Sequence, residues 1–385
     1  MHYDFDTPPD RLSTECDKWH FYDPDVLPLW VADMDFMSPE PIVRALRERV
    51  EHGVFGYPRE LKELRQIIID RLLERYAWQI QTEDLVFLPG VVQGINMACH
   101  AFARAGKAAL VQTPVYPPFF KAPEYSGAIQ QETELIFDPA TSTYHIDWNA
   151  FEEAFNDRTR LFILCSPHNP VGRVWTRAEL ERMAEICLKR NVIIVSDEIH
   201  CDLVYSGHTH IPIASLDQQI SQQTITLMAP SKTFNIAGLG FSFAVIQNPD
   251  LRKSFRNAHQ GLVSGINLMG WVAALAAYQE GQDWLDQLLI YLQANRDFLL
   301  ETMHRDFPNI RVASPEGTYL AWLDCRETGI QGSPYEFFLQ KARIALNDGK
   351  KFGQGGEGFV RLNFGCPRCT LNECLDRMKK ALEGI

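Results

Sequence analysis

Six short apolar runs, separated by segments of helical period, constrain the fold of this chain more than any other feature. LVFL (85–88), AALVQ (108–112), LFILC (161–165), VIIVSD (192–197), TITLM (224–228) and FAVI (243–246) stand between polar or turn-forming residues. Unbroken apolar runs of this length read as strands buried on both faces, the habit of parallel sheets. Between them lie helical patterns. After Gly90, the residues Val91, Ile95, Ala98 and Phe102 share one face, and Thr176-Arg-Ala-Glu179 is a capping box opening a helix that runs through Cys187. Strands alternating with helices predict an α/β layered sheet with right-handed crossovers, all six runs lying parallel.

The texture changes beyond about Asp283, where a long amphipathic pattern, WLDQLLIYLQANRDFLLETMHRDF, leads into the strand-like runs TYLAWLD and FVRLNF, each followed by a helix. At 385 residues the chain exceeds one ordinary domain. The expected division is a large domain over 53–282 with a mostly parallel central sheet flanked by helices, and a smaller α+β domain formed by the two chain ends, 1–52 and 283–385.

Composition excludes several classes. With 49 acidic against 37 basic side chains the net charge is −12, so the clustered Lys and Arg that grip a nucleic-acid backbone are missing. No apolar run approaches a membrane span, and the acidic, proline-bearing start MHYDFDTPPD is unlike a secretory signal, so a cytoplasmic protein is expected. Nine cysteines are too few for a disulfide scaffold, and Cys366-Pro-Arg-Cys369, lacking a second pair, reads as buried or helix-capping residues. No metal site is expected: the histidines show no ligand spacing, and His208 with His210 reads as an exposed loop pair. Gly353-Gln-Gly355-Gly-Glu-Gly358 spells a dinucleotide fingerprint but leads into a strand rather than opening a helix.

In open α/β sheets ligands bind at the carboxyl ends of the strands. The residues following each run are therefore the candidates. Lys232, after TITLM, is either a surface lysine or an amine whose charge is suppressed so that it can condense with a carbonyl. Asp197 ends a neighbouring strand, where a buried carboxylate needs a cation or strong donor. Asn169 sits in the proline-flanked SPHNPVG, and Tyr116 in TPVYPPF can lay its ring on a planar ligand. Gly90 and the amides after it, at a helix start, can cradle a phosphate, and Arg361 in FVRLNFG can fork onto a carboxylate.

Taken together, Gly90, Tyr116, Asn169, Asp197, Lys232 and Arg361 resemble, in that order, the site of the fold-type I pyridoxal-phosphate enzymes, the aminotransferase superfamily. PLWVADMDF, HGVFGYPR, SPHNPVGRVW, SDEIHCDLVY, APSKTFNIAGL, TYLAWLD and FVRLNFGCPR look like its cystathionine β-lyase, or carbon–sulfur β-lyase, branch. The resemblance implies pyridoxal 5'-phosphate as cofactor and an L-amino acid bearing sulfur on its β-carbon as substrate. It implies that Lys232 holds the cofactor covalently and shuttles the α-proton, that Asp197 keeps the pyridine nitrogen protonated, and that Asn169 touches the ring hydroxyl. His200 falls where many relatives place a tyrosine contacting the ring oxygen. Val91, Val92 and Ser231 would hold the phosphate, joined by Tyr57 from a neighbouring subunit, which makes a homodimer part of the expectation. Arg361 would clamp the substrate α-carboxylate with the main chain near Ala32 closing over it. At the phosphate the sequence departs from the wider superfamily, having Ala229 where many relatives carry a second hydroxyl and Gly240 where many carry an arginine. The expected reaction releases a thiol, pyruvate and ammonia. The same fold also supports aminotransferases and non-catalytic regulatory proteins, so these stand as alternatives.

Overall fold

The structure, a computed structural model, describes residues 2–259, 261 and 263–384. Eight strands form the principal sheet: β1 (Leu85–Leu88), β2 (Ala108–Thr113), β3 (Ile129–Asp138), β4 (Thr143–Ile146), β5 (Thr159–Cys165), β6 (Ile193–Asp197), β7 (Thr224–Met228) and β8 (Ser242–Val245). Their order across the sheet is β1-β8-β7-β6-β5-β2-β3-β4. The centre, β7-β6-β5-β2-β3, is parallel. Of these, β2, β5, β6 and β7 are buried along nearly their whole length because helices cover both faces, which is why they are legible as continuous apolar runs.

Among those helices, α1 (Glu40–Glu51) and α2 (Lys62–Tyr76) precede the sheet, α3 (Val91–Phe102) follows β1, and α4 (Arg177–Lys189) follows β5. Val91, Ile95 and Ala98 of α3 are buried against the sheet, as their spacing predicts. The capping box of α4 is complete: Thr176 Oγ1 accepts from the Glu179 N–H at 3.3 Å, and Glu179 Oε2 accepts from the Thr176 N–H at 2.8 Å. A Thr176→Ala substitution is expected to lower unfolding free energy by about 1 kcal/mol, read by urea denaturation.

One direction is corrected. FAVI, expected to lie parallel, forms β8 antiparallel to both β1 and β7. The link from β7 holds only a single helical turn, α5 (Pro230–Thr233), and a 3-10 turn, so no helix is long enough to carry the chain back across the sheet. Gly240, at φ +62°, makes the reversal.

Beyond α6 (Leu268–Glu280), the amphipathic segment is a helix of 25 residues, α7 (Gln282–Asp306). It packs with a second, antiparallel sheet of β9 (Arg311–Val312), β10 (Leu320–Asp324), β11 (Asn347–Asp348) and β12 (Phe359–Asn363), ordered β9-β10-β12-β11, and with the final helix α8 (Arg368–Leu382). The two ends of the chain meet here, where Leu27 and Pro28 pair with Ile344 and Ala345. This architecture is the α/β class expected, with a mostly parallel large sheet and a separate smaller one. No described helix is long and apolar enough to cross a membrane.

Gly353 to Gly358 form a turn-rich loop running into β12, with positive φ at Gly353, Gly355 and Gly358. His208 is exposed as expected, but His210 is buried, because its Nε2 lies 2.9 Å from Oε2 of the buried Glu198.

Candidate active site

The carboxyl ends of β1, β2, β5, β6 and β7 open together onto a cavity of about 400 Å³. β2, β5, β6 and β7 are parallel neighbours, and β1, reached through the antiparallel β8, points the same way, so these ends share one edge of the sheet. Gly90 is the N-cap of α3; Tyr116 follows β2; Asn169 follows β5; Asp197 is the last residue of β6; Ser231 and Lys232 lie on α5 after β7. Val91, Val92, His200 and Ala32 also line the cavity. Because β8 runs the other way, its beginning rather than its end reaches this edge, so Gly240 and Phe241 join the wall.

Lys232 Nζ donates to the Ala32 carbonyl at 2.6 Å. Burial pushes its ammonium down to about 8, while the Asp33 carboxylate works in the opposite direction. An amine near neutrality is a competent nucleophile. The surface reading of this lysine is excluded by the geometry.

Asp197 has no ion pair among the described residues. Burial raises its carboxyl to about 7, offset in part by the Ile199 N–H, which donates to Oδ1 at 3.1 Å. His200 is held neutral, its pKa driven to about 3 by burial and by the nearby Lys232 and Arg361 cations. Its Nδ1 is buried without a partner. Burial likewise raises the Tyr116 phenol, which stays protonated.

Arg361, on β12, stands one hydrogen bond behind the cavity wall. Its Nη1 donates to Asn169 Oδ1 at 3.0 Å and Nη2 to the Trp30 carbonyl at 2.9 Å, with a further short bond to Asn347 Oδ1. Nε is buried with no partner. Burial brings the guanidinium down to about 10, which leaves it cationic at neutral pH.

At the opposite end, no side chain caps α3 at Gly90, so the first-turn amides of Val91 and Val92 face outward beside Ser231, an anion cradle. The left-handed backbone at Gly240 suits glycine and disfavours an arginine there. Among the described residues Lys232 is the sole Lys or Arg lining the cavity. Among the described residues no group of three His, Cys, Asp or Glu side chains could hold a metal.

Eleven of the twelve expected site residues thus gather here. Tyr57 does not: it is fully exposed in a run with Val54 and Phe55, both 61% exposed. Some participants had no part in the sequence reading. Tyr319 shares the Ala32 carbonyl with Lys232, its hydroxyl donating at 2.8 Å, and its ring lies edge-on to His200 at 6.0 Å. Trp30 and Asp33 lie inside PLWVADMDF and Tyr319 inside TYLAWLD, so the motifs held the signal; Asn347 had none.

Fold and site define a family. Residues 24–378 match the model for aminotransferase class I and II, and the chain belongs to that family. Within it, the chain is 40% identical to the cystathionine beta-lyase PatB of Bacillus subtilis, covering 98% of this chain and 99% of that protein. Among solved structures, OvoB is 44% identical with a TM-score of 0.94, covering 99% of each chain. Cystalysin from Treponema denticola, which contains a pyridoxal 5'-phosphate cofactor, is 34% identical with a TM-score of 0.95 over 100% of each chain.

Proposed function

We propose that this protein is a pyridoxal 5'-phosphate-dependent carbon–sulfur β-lyase, cleaving L-cystathionine or a related cysteine S-conjugate to a thiol, pyruvate and ammonia. One observation carries the reading: a near-neutral amine and a buried carboxylate without an ion pair among the described residues line one cavity, with an arginine one hydrogen bond behind its wall through Asn169. When bound, pyridoxal phosphate supplies an electron-accepting ring that stabilises negative charge at the substrate α-carbon.

The residues fit that group. Asp197, raised to about 7 and without an ion pair among the described residues although the Lys232 charge lowers it in part, would pair with a protonated ring nitrogen, which would favour its carboxylate form. The unpartnered His200 Nδ1 and the Asn169 amide are polar groups at the cavity wall, suited to the ring oxygen. The Val91 and Val92 amides with Ser231 suit the phosphate, and the Tyr116 ring suits one face of the pyridine. With Ala229 and Gly240 in place of phosphate ligands, Tyr57 of a second copy completes the cradle, which makes the working unit a homodimer. The exposed apolar run around Tyr57 supports this.

Lys232 would hold the cofactor and, with its amine free, would take the proton from the substrate α-carbon. Arg361 grips the α-carboxylate while the Ala32 strap excludes water. The β-thiolate would leave with that proton as a thiol, and the released enamine acid would be hydrolysed by one water to pyruvate and ammonia. Nine free thiols, seven of them buried, suit a reducing cytoplasm.

Two measurements test the reading. Cystathionine supplied without a keto acid should yield thiol, pyruvate and ammonia together; product formation that requires a keto-acid acceptor would mean an aminotransferase instead. Arg361→Met should raise KM for the amino acid about 10- to 100-fold, the worth of a charge-assisted bidentate contact.

Cofactor uptake has a defined pH dependence. Only the neutral amine condenses with an aldehyde, and burial places the Lys232 titration near 8. The rate at which visible absorbance grows on adding pyridoxal phosphate to cofactor-free protein should therefore rise with pH and level off above about 8. A rate still climbing toward the range of an ordinary lysine, about 10.4, would contradict the depressed value.

A further inference from the structure

Residues 30–34 form a strap across the cavity whose every carbonyl is held by a side chain from elsewhere. Trp30 O accepts from Arg361 and Val31 O from Asn363 Nδ2 at 2.6 Å. Ala32 O accepts from Lys232 and Tyr319, Asp33 O from Asn363 and Lys18, and Met34 O from Asn235 and Arg11. The strap therefore touches both the reactive amine and the carboxylate clamp.

Around the strap stand two cations and two carboxylates, of which Asp33 acts electrostatically on Lys232. Lys18 Nζ lies 2.7 Å from Asp35 Oδ2, 3.4 Å from Asp33 Oδ1 and 3.2 Å from Asp33 O. Arg11 reaches Asp33 Oδ2 at 2.8 Å and Asp35 Oδ1 at 2.6 Å, and Trp19 Nε1 donates to Asp35 Oδ1 at 3.0 Å. Lys18 and Asp35 are both buried at 2% exposure. Buried ion pairs return little net stability, since desolvation cancels most of the Coulomb gain, so what such a cage contributes is the conformation it fixes.

We propose that the Arg11–Lys18–Asp33–Asp35 cage is a positioning device for the reaction, with Asp33 as its key positioning residue. It locks the strap so that Ala32 O holds the Lys232 amine while Trp30 O holds Arg361. The inference rests on the reading of Lys232 as the cofactor-bearing amine. The charged and titratable groups facing Lys232 are Asp33 on the strap, Asp197 and His200 at the end of β6, and Arg361 and Tyr319 on the smaller sheet. Asp33 is the carboxylate that the strap itself supplies, so neutralising it removes a charge that favours the ammonium and loosens an acceptor that holds it. Both effects act in one direction.

The test uses Asp33→Asn and Asp33→Glu. In cofactor-free protein, acetylation of Lys232 by acetic anhydride, followed by peptide mass spectrometry from about pH 6 to about pH 10, gives the amine's midpoint. Asp33→Asn should lower that midpoint by at least about half a unit, and Asp33→Glu should return it toward wild type. In the reconstituted holoenzyme Asp33→Asn should raise KM for cystathionine about 10-fold through the loosened Trp30–Arg361 contact. A folded Asp33→Asn protein with wild-type midpoint and wild-type KM would overturn the proposal. If the Asn variant does not fold, the Glu variant decides: its longer side chain displaces the strap and should raise KM several-fold with the midpoint unchanged, and a wild-type KM would overturn the proposal. Borohydride fixation of pyridoxal phosphate on Lys232 in wild type separates the two readings, since its absence defeats the cofactor assignment, whereas its presence with unaltered variants defeats the cage alone.

Discussion

Replacing Lys232 by Ala is expected to give a folded protein whose turnover of cystathionine falls at least about 10⁴-fold, because a covalent anchor and the base for the α-proton are lost in one step. The fold should survive. Among the described residues the Lys232 ammonium makes a single hydrogen bond, to Ala32 O, and Tyr319 still satisfies that carbonyl when the amine is gone. Burial already disfavours the charge, as its depression to about 8 records, so removing it costs little. The check is kcat beside a thermal melt. A variant retaining turnover within about 10-fold of wild type would end the assignment of Lys232, since the covalent step has no substitute amine lining the cavity.

Asp197→Asn is the second large effect, expected to cut kcat/KM by about 10²- to 10³-fold, the usual cost of removing a preorganised electrostatic partner from a dry site. The carboxylate lies at the end of β6 with a backbone N–H from Ile199 on Oδ1 and no cation of its own. An asparagine keeps the volume but supplies no negative charge to hold a ring nitrogen protonated. The expected phenotype therefore separates binding from chemistry: the variant still fixes pyridoxal phosphate on Lys232 under borohydride, yet turns over slowly. Wild-type kcat in this variant would assign the ring nitrogen another partner.

What could be read from the sequence follows the physics of burial. The central strands were visible because both their faces are covered, so hydrophobic identity runs unbroken through LFILC and TITLM. β3 was not, because IQQETELIFD lies toward the edge of the sheet with Gln and Glu side chains in solvent. The direction of β8 was also hidden: a four-residue apolar run has no polarity of its own, and only the length of the connection to β7 and the φ of Gly240 decide it. Site residues at strand ends were found because topology ties chemistry to those positions. The strap contacts were not, since Trp30, Asp33 and Tyr319 act through backbone carbonyls or through partners far along the chain, and neither leaves a periodic trace. His210 was misjudged for a similar reason: its carboxylate partner, Glu198, lies beside Asp197 on a different element, and a loop histidine in sequence says nothing about such pairing.

The Trp30–Arg361 hydrogen bond joins positions 331 residues apart. A ribosome making this protein therefore finishes the amine, the acid and the phosphate cradle long before it makes the arginine that the strap must grasp. Until β12 emerges, the growing chain lacks the guanidinium that the proposed function assigns to the amino acid's carboxylate, so the proposed site is completed only after 331 further residues have followed Trp30.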